Sequence, residues 1–304
     1  MTSDPRHPEI SLQHAAVNGL RLHYASCGDK GQPLVIFLHG FPEFWYAWRD
    51  QLLDFGCDHF AVAPDLRGIN RSDKPAQIKS YRVTHAAADV VALAEHLGYQ
   101  DFLLVGHDWG GAVAFALAIA QPERVRRLAL LNAVHPGAFA EEMVSNATQQ
   151  QASAYINLFR RADAAEISSR DDYAALRTMF AEGGEVPAWF GAEARARYID
   201  AWSQPGALDG GLNYYRASPL HPPTADDPGA AAALARMDLG ALRVRVPTLI
   251  LWGDRDRYLL RGCADAAARH IEDLRVVHFP EATHWIAHEE PQRVNRLLRE
   301  HFAP

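Results

Sequence analysis

Residues 103–118, LLVGHDWGGAVAFALA, pass from a short apolar run through a glycine-flanked turn into a stretch of small helix-forming residues. The apolar start reads as a strand, GHDWGG as a sharp reversal, and AVAFALA as a helix. Gly106 and Gly110 let the backbone turn and let strand and helix approach closely. A turn of this kind pushes the residue at its tip, here Asp108, out beyond the end of the strand. The helix must then lie back over a sheet, so the unit commits the chain to layers of helix and sheet.

Further apolar runs support that reading, at 34–38 (LVIFL), 60–63 (FAVA), 102–105 (FLLV), 128–131 (LALL), 248–252 (TLILW) and 276–279 (VVHF). Between the early runs lie helix-like segments, notably 84–97 (THAAADVVALAEHL), where apolar residues recur every three or four positions and Thr84 is placed to cap. Strands alternating with helices predict a mostly parallel sheet with helices on both faces, and such strands read as continuously apolar because both faces are covered. The alternation stops after about residue 136. From roughly 138 to 218 the pattern is helical and rich in aromatics, followed by the linker SPLHPPTADDPG (218–229) and an alanine-rich patch near 230. The expected organisation is a core of residues 1–137 and 228–304 with a helical lid, 138–227, inserted over the carboxyl edge of the sheet.

Composition narrows the function classes. The 304 residues are 48% hydrophobic and 22% charged, ordinary for a globular protein. A net charge of −7 argues against nucleic acid or anionic membrane as a partner. No run of 18 apolar residues appears, and the opening MTSDPRHPEISLQHAAVNG lacks a basic segment followed by an apolar one, so a cytoplasmic protein is expected. Cys27, Cys57 and Cys263 are scattered and odd in number, which predicts buried free thiols rather than disulfides or a zinc site. No H-E-x-x-H or similar ligand cluster occurs, and neither metal nor cofactor is expected.

Parallel sheets hold ligands beyond the carboxyl ends of their strands. After LVIFL come His39, Gly40, Phe41 and Pro42; after FLLV come His107, Asp108 and Trp109; after TLILW come Asp254, Arg255 and Asp256; after VVHF come Thr283, His284 and Trp285. Each is a weak signal alone. Together they set out nucleophile, acid and histidine in the order Asp108, Asp256, His284, the chain order of an α/β-hydrolase triad.

Over nearly its full length the chain resembles the α/β-hydrolases, and among them the epoxide hydrolases. The segments that carry the resemblance are HGFPEFWYAWR (39–49), DLRGINRSDKP (65–75), GHDWGG (106–111), LNAVHP (131–136), YINLF (155–159), LNYYR (212–216) and ATHW (282–285). It implies that Asp108 is the nucleophile, His284 the general base and Asp256 the orienting acid, with Asp254 the alternative acid. It further implies two lid tyrosines that hold an epoxide oxygen, Tyr155 and Tyr215, with Tyr214 the rival to Tyr215. A homodimer is the assembly it suggests. One departure is RGINRS (67–72), where the family more often has glycine near Asn70.

The chemistry fits those residue types. A carboxylate is ionised at neutral pH and displaces at an sp³ carbon, leaving an ester whose carbonyl belongs to the enzyme. Water activated by His284 would attack that carbonyl, with Asp256 fixing the imidazole tautomer. Backbone N–H groups of Phe41 and Trp109 would meet the oxyanion. An epoxide leaves as an alkoxide and needs a proton, which a phenol supplies. Phe41, Trp45, Trp48, Trp109 and Trp285 are expected to wall an apolar pocket. His39 and His107 are expected to position loops, and His135 to make a hinge or core contact.

The nearest rival function is a haloalkane or haloacid dehalogenase with the same aspartate–histidine chemistry. Halide needs N–H donors and no proton, and Trp189 and Trp202 of the lid stay open as such donors beside Trp109. The asparagine that haloalkane dehalogenases carry after the His-Gly turn is Phe41 here. The arginine that fluoroacetate dehalogenases carry at position 109 is Trp109. Asp108 disfavours a serine esterase, and a complete triad disfavours a non-catalytic, ligand-binding relative.

Overall fold

Strands of continuous burial form the middle of the molecule. The computed structural model describes residues 9–182 and 184–303, so the MTSDPRHP opening lies outside it. Eight strands make one sheet: β1 (Ser11–Val17), β2 (Leu20–Cys27), β3 (Leu34–Leu38), β4 (Phe60–Pro64), β5 (Phe102–His107), β6 (Val125–Leu131), β7 (Thr248–Gly253) and β8 (Leu274–Phe279). Their order is β1-β2-β4-β3-β5-β6-β7-β8. From β4 to β8 every pairing is parallel, while β1–β2 and β2–β4 are antiparallel.

The parallel strands coincide with the apolar runs. Every residue of LVIFL is buried, as helices on both faces require. The hairpin β1–β2 is a departure from the sequence reading. Its first strand, SLQHAAV, mixes polar with small and apolar residues and has no apolar run like those of the parallel strands. The hairpin turns at Asn18 and Gly19, both with positive φ, the pattern that suits a tight two-residue loop.

Helices α1 (Arg49–Phe55), α2 (Val83–Leu97) and α3 (Asp108–Ala120) follow β3, β4 and β5. Thr84 does not cap α2: the N-cap is Arg82, without a side-chain cap bond, and Thr84 is the second residue of the helix. Gly110 is compelled by packing of α3 on the sheet, since a Cβ there would stand 2.1 Å from the Leu38 carbonyl oxygen. The chain runs from β3 outward to β4 and returns to β5 on the other side of β3. That reversal opens a crevice at the carboxyl ends of β3 and β5, where parallel sheets bind ligands.

Between β6 and β7 the chain is helical, with α4 (Pro136–Ser145), α5 (Ala147–Ala152), α6 (Tyr155–Phe159), α7 (Ala164–Phe180), α8 (Ala192–Ser203), α9 (Ala207–Ala217) and α10 (Ala230–Leu234). Helix α7 is broken where Asp171, Asp172 and Tyr173 take left-handed backbone angles. These helices meet the residues that follow the sheet's strands. Tyr198 donates to Glu43, Trp202 Nε1 donates to the Pro42 carbonyl at 2.6 Å, and Tyr214 donates to the Arg67 carbonyl. They therefore cover the crevice. The last helices, α11 (Arg261–Ala267), α12 (Ile286–Glu289) and α13 (Pro291–Phe302), flank β7 and β8. No helix among the described residues is long and apolar enough to cross a membrane.

Candidate active site

Asp108 opens α3 directly from the end of β5, with φ of +49°. A non-glycine residue in that region costs about 1–2 kcal/mol, so the surroundings must hold it. They do so through Gly110, which seats the helix on Leu38, and through the Phe41 amide, which donates to Asp108 Oδ1 at 2.9 Å. The other oxygen, Oδ2, lies 3.8 Å from His284 Nε2.

His284 sits in the loop after β8, and its Nδ1 is 2.6 Å from Asp256 Oδ2. A carboxylate only accepts, so Nδ1 carries the proton and Nε2 faces Asp108. Asp256 is buried and saturated: Oδ1 accepts the amides of Tyr258 at 2.7 Å and Leu259 at 3.0 Å, and Oδ2 also accepts Asn132 Nδ2 at 2.7 Å. Burial opposes its charge, but His284 and these amides outweigh it and hold the carboxyl below its ordinary range. For His284, burial works against the imidazolium. The charge and hydrogen bond of Asp256, with the charge of Asp108, reverse this and raise its pKa. Asp254 does not reach His284. It pairs with His278 at 2.6 Å, so Asp256 is the acid in contact.

Asn132, within the LNAVHP segment, also takes part in the site. It follows β6 with φ of +38° and locks onto β7, accepting from the Gly253 amide at 2.8 Å while donating to Asp256. Its only trace in the sequence is an asparagine at the end of an apolar run. Asn70, at the departure noted above, also has positive φ (+44°) and donates to Asp65. Glycine suits such a backbone, and asparagine tolerates it.

A cavity of about 450 Å³ opens beside Asp108, lined by apolar side chains such as Phe139 and Leu220, with Trp109, Tyr155 and Tyr215 close to the carboxylate. Tyr215 is buried with its ring edge-on to Phe41 and Trp109, and its centroid is 6.1 Å from that of Tyr155. Both phenols are pushed well above their ordinary pKa. Burial is the main cause for each, followed for Tyr155 by the charge of Asp108, and for Tyr215 by Tyr155 and then Asp108. Tyr214 also borders the cavity, but its hydroxyl is committed to the Arg67 carbonyl at 3.2 Å.

Several expected wall residues lie elsewhere. Of the five aromatics expected on the wall, only Trp109 borders the cavity. Phe41 backs Tyr215 and Phe159. Trp45 packs on Phe44 and Tyr46, and Trp48 on Phe37. Trp285 stands edge-on to His284 and donates to the Met179 carbonyl at 3.1 Å. The reason is shared: these residues follow strand ends but turn away from the crevice, toward the seam between sheet and helices. Trp189, stacked on His288, and Trp202 are likewise off the cavity.

The other histidines tie loops together. His39 donates from Nδ1 to the Gly40 carbonyl and accepts the Leu66 amide at Nε2. His107 Nε2 donates to the His284 carbonyl at 3.0 Å, with Nδ1 facing Glu43 at the same distance. Glu43, also unread in the sequence, is buried. Burial opposes its charge, but hydrogen bonds with His107 and His288 hold it well below the usual carboxylate range. His135 caps α4, accepting from Gly137 and Ala138 at Nδ1, and burial depresses its pKa to about 4.

Comparison with known proteins identifies the family. Residues 33–291 match the alpha/beta hydrolase fold family. The chain is 38% identical over 297 residues to the AB hydrolase superfamily protein YfhM of Bacillus subtilis (strain 168), covering 96% of this chain and 98% of that protein. It is 34% identical over 287 residues to Epoxide hydrolase 4 of Homo sapiens, covering 92% of this chain and 75% of that protein. A crystal structure of an epoxide hydrolase from Bacillus megaterium in complex with an inhibitor aligns with a TM-score of 0.86 at 33% identity, covering 95% of this chain and 99% of that one. Relatives of this kind span almost the whole chain: the protein belongs to the α/β-hydrolase family, in its epoxide hydrolase branch.

Proposed function

We propose that this chain hydrolyses an apolar epoxide to a vicinal diol through an ester on Asp108. In the first step the Asp108 oxygen not engaged by Phe41 attacks an epoxide carbon. The C–O bond of the ring breaks, and its electron pair passes to the ring oxygen, which takes a proton from Tyr155 or Tyr215. In the second step His284 Nε2 removes a proton from water, and the hydroxide adds to the ester carbonyl. The amides of Phe41 and Trp109 hold the oxyanion. Collapse releases the diol and restores the Asp108 carboxylate, and the proton on His284 returns to the phenolate.

The observation that carries this reading is the pair of protonated phenols, Tyr155 and Tyr215, sharing an apolar cavity with Asp108. Halide departure would need neither. The relatives reported above that are named as epoxide hydrolases support it. Residues 138–227 act in this reading as a lid subdomain on a core of 1–137 and 228–304, since Tyr155 and Tyr215 come from the helices and Asp108 from the sheet. Incubation with styrene oxide and chromatography of the products tests it. Release of the diol is expected; turnover of a chloroalkane or fluoroacetate with no diol from any epoxide would overturn it.

A further inference from the structure

Helix α5 is largely exposed, yet one polar side chain in it, Gln149, has no solvent exposure. Its amide is fully used. Nε2 donates to Ser153 Oγ at 2.8 Å and to the Tyr258 carbonyl at 2.8 Å, while Oε1 accepts the Leu260 amide at 2.8 Å and the Cys263 thiol at 3.3 Å. The amide orientation follows from its partners: the Leu260 N–H can only donate and the Tyr258 carbonyl only accept.

These bonds grip the loop that carries the acid. Asp256 Oδ1 rests on the amides of Tyr258 and Leu259, and Gln149 holds the same stretch, at the Tyr258 carbonyl, which shares a peptide with the Leu259 amide, and at the Leu260 amide that follows. We propose that Gln149 is a positioning residue that holds Asp256 in register with His284 across the seam between the helices and the sheet. The inference rests on the two-step reading above. Asp256 contacts His284 Nδ1 at 2.6 Å and matters only where His284 works, in ester hydrolysis. Ester formation uses Asp108 and the two phenols. Loss of Gln149 therefore slows the second step and spares the first. A buried loop left with an unpaired amide and carbonyl shifts to satisfy them, and the Asp256–His284 contact loosens with it.

The test is Gln149→Met, similar in length but unable to hydrogen-bond in this way, with styrene oxide as substrate. Rapid quenching and peptide mass analysis give the fraction of enzyme esterified at Asp108. The expected result is ester hydrolysis slowed about tenfold with ester formation within about twofold, so that ester accumulates. The acid limb of kcat should also move toward lower pH, because the charge of Asp256 acts less fully on His284. His284 is faced by Asp256, Asp108, His107 and Tyr258, with Glu43 behind His107, and the substitution changes none of these side chains. Equal slowing of both steps, or an unchanged ester fraction and pH midpoint with only a lowered melting temperature, would overturn the inference. If Gln149→Met does not melt cooperatively, Gln149→Glu, which keeps the Leu260 acceptor and loses the Tyr258 donor, carries the same ester measurement. Absence of any Asp108 ester in the wild type would overturn the two-step reading, and this inference with it.

Discussion

His284 Nε2 and Asp108 Oδ2 lie 3.8 Å apart, beyond hydrogen-bond reach, although both belong to one tightly held site. The opposite nitrogen of His284 is committed to Asp256 at 2.6 Å. The histidine is thus fixed in orientation by Asp256 while its other nitrogen faces Asp108, the arrangement that the proposed base for water requires.

That arrangement sets a pH dependence. The charges of Asp256 and Asp108 favour the imidazolium, so the pKa of His284 is raised. The base works only when neutral, so the rate should rise with pH through a midpoint above the ordinary imidazole value of about 6.5. Asp256→Asn removes the main charge favouring the imidazolium and should move the midpoint of the residual activity to lower pH. A pH–rate profile of kcat for both enzymes checks it.

The two neighbouring tyrosines should separate cleanly. Tyr214→Phe loses a hydroxyl bonded to the Arg67 carbonyl and should cost about 1 kcal/mol of stability with activity within a few-fold. Tyr215→Phe should lower epoxide turnover about a hundredfold or more, as should Tyr155→Phe, with little change in melting temperature. Steady-state rates and thermal melts of the three variants decide it.

The left-handed backbone at Asp108 predicts a difference between two inactive variants. Asp108→Gly and Asp108→Ala both lose the carboxylate and its bond from Phe41, but only glycine is at ease at φ of +49°. Asp108→Gly should be the more stable by about 1 kcal/mol, roughly 1–3 °C in melting temperature. Calorimetry of the pair measures it.

Much of this site is legible in the sequence because parallel strands announce themselves as apolar runs, and their ends are where Asp108, Asp256 and His284 stand. The hairpin of β1 and β2 is not, since its first strand mixes polar with small residues and only Asn18-Gly19 marks the turn. Asn132, Glu43 and Gln149 are buried polar residues set by tertiary partners, and no periodicity marks them. Trp45 and Trp285 flank candidate-site segments in sequence, but which way a loop residue turns at the sheet edge depends on the helices packed above it.

The central claim is a covalent ester on Asp108 that His284 hydrolyses. The most direct test is the mass of the Asp108 peptide from His284→Gln after incubation with styrene oxide. The account predicts that the peptide gains the mass of one styrene oxide, at Asp108, and that the adduct persists. An unmodified Asp108 peptide, or alkylation at another residue alone, would contradict it.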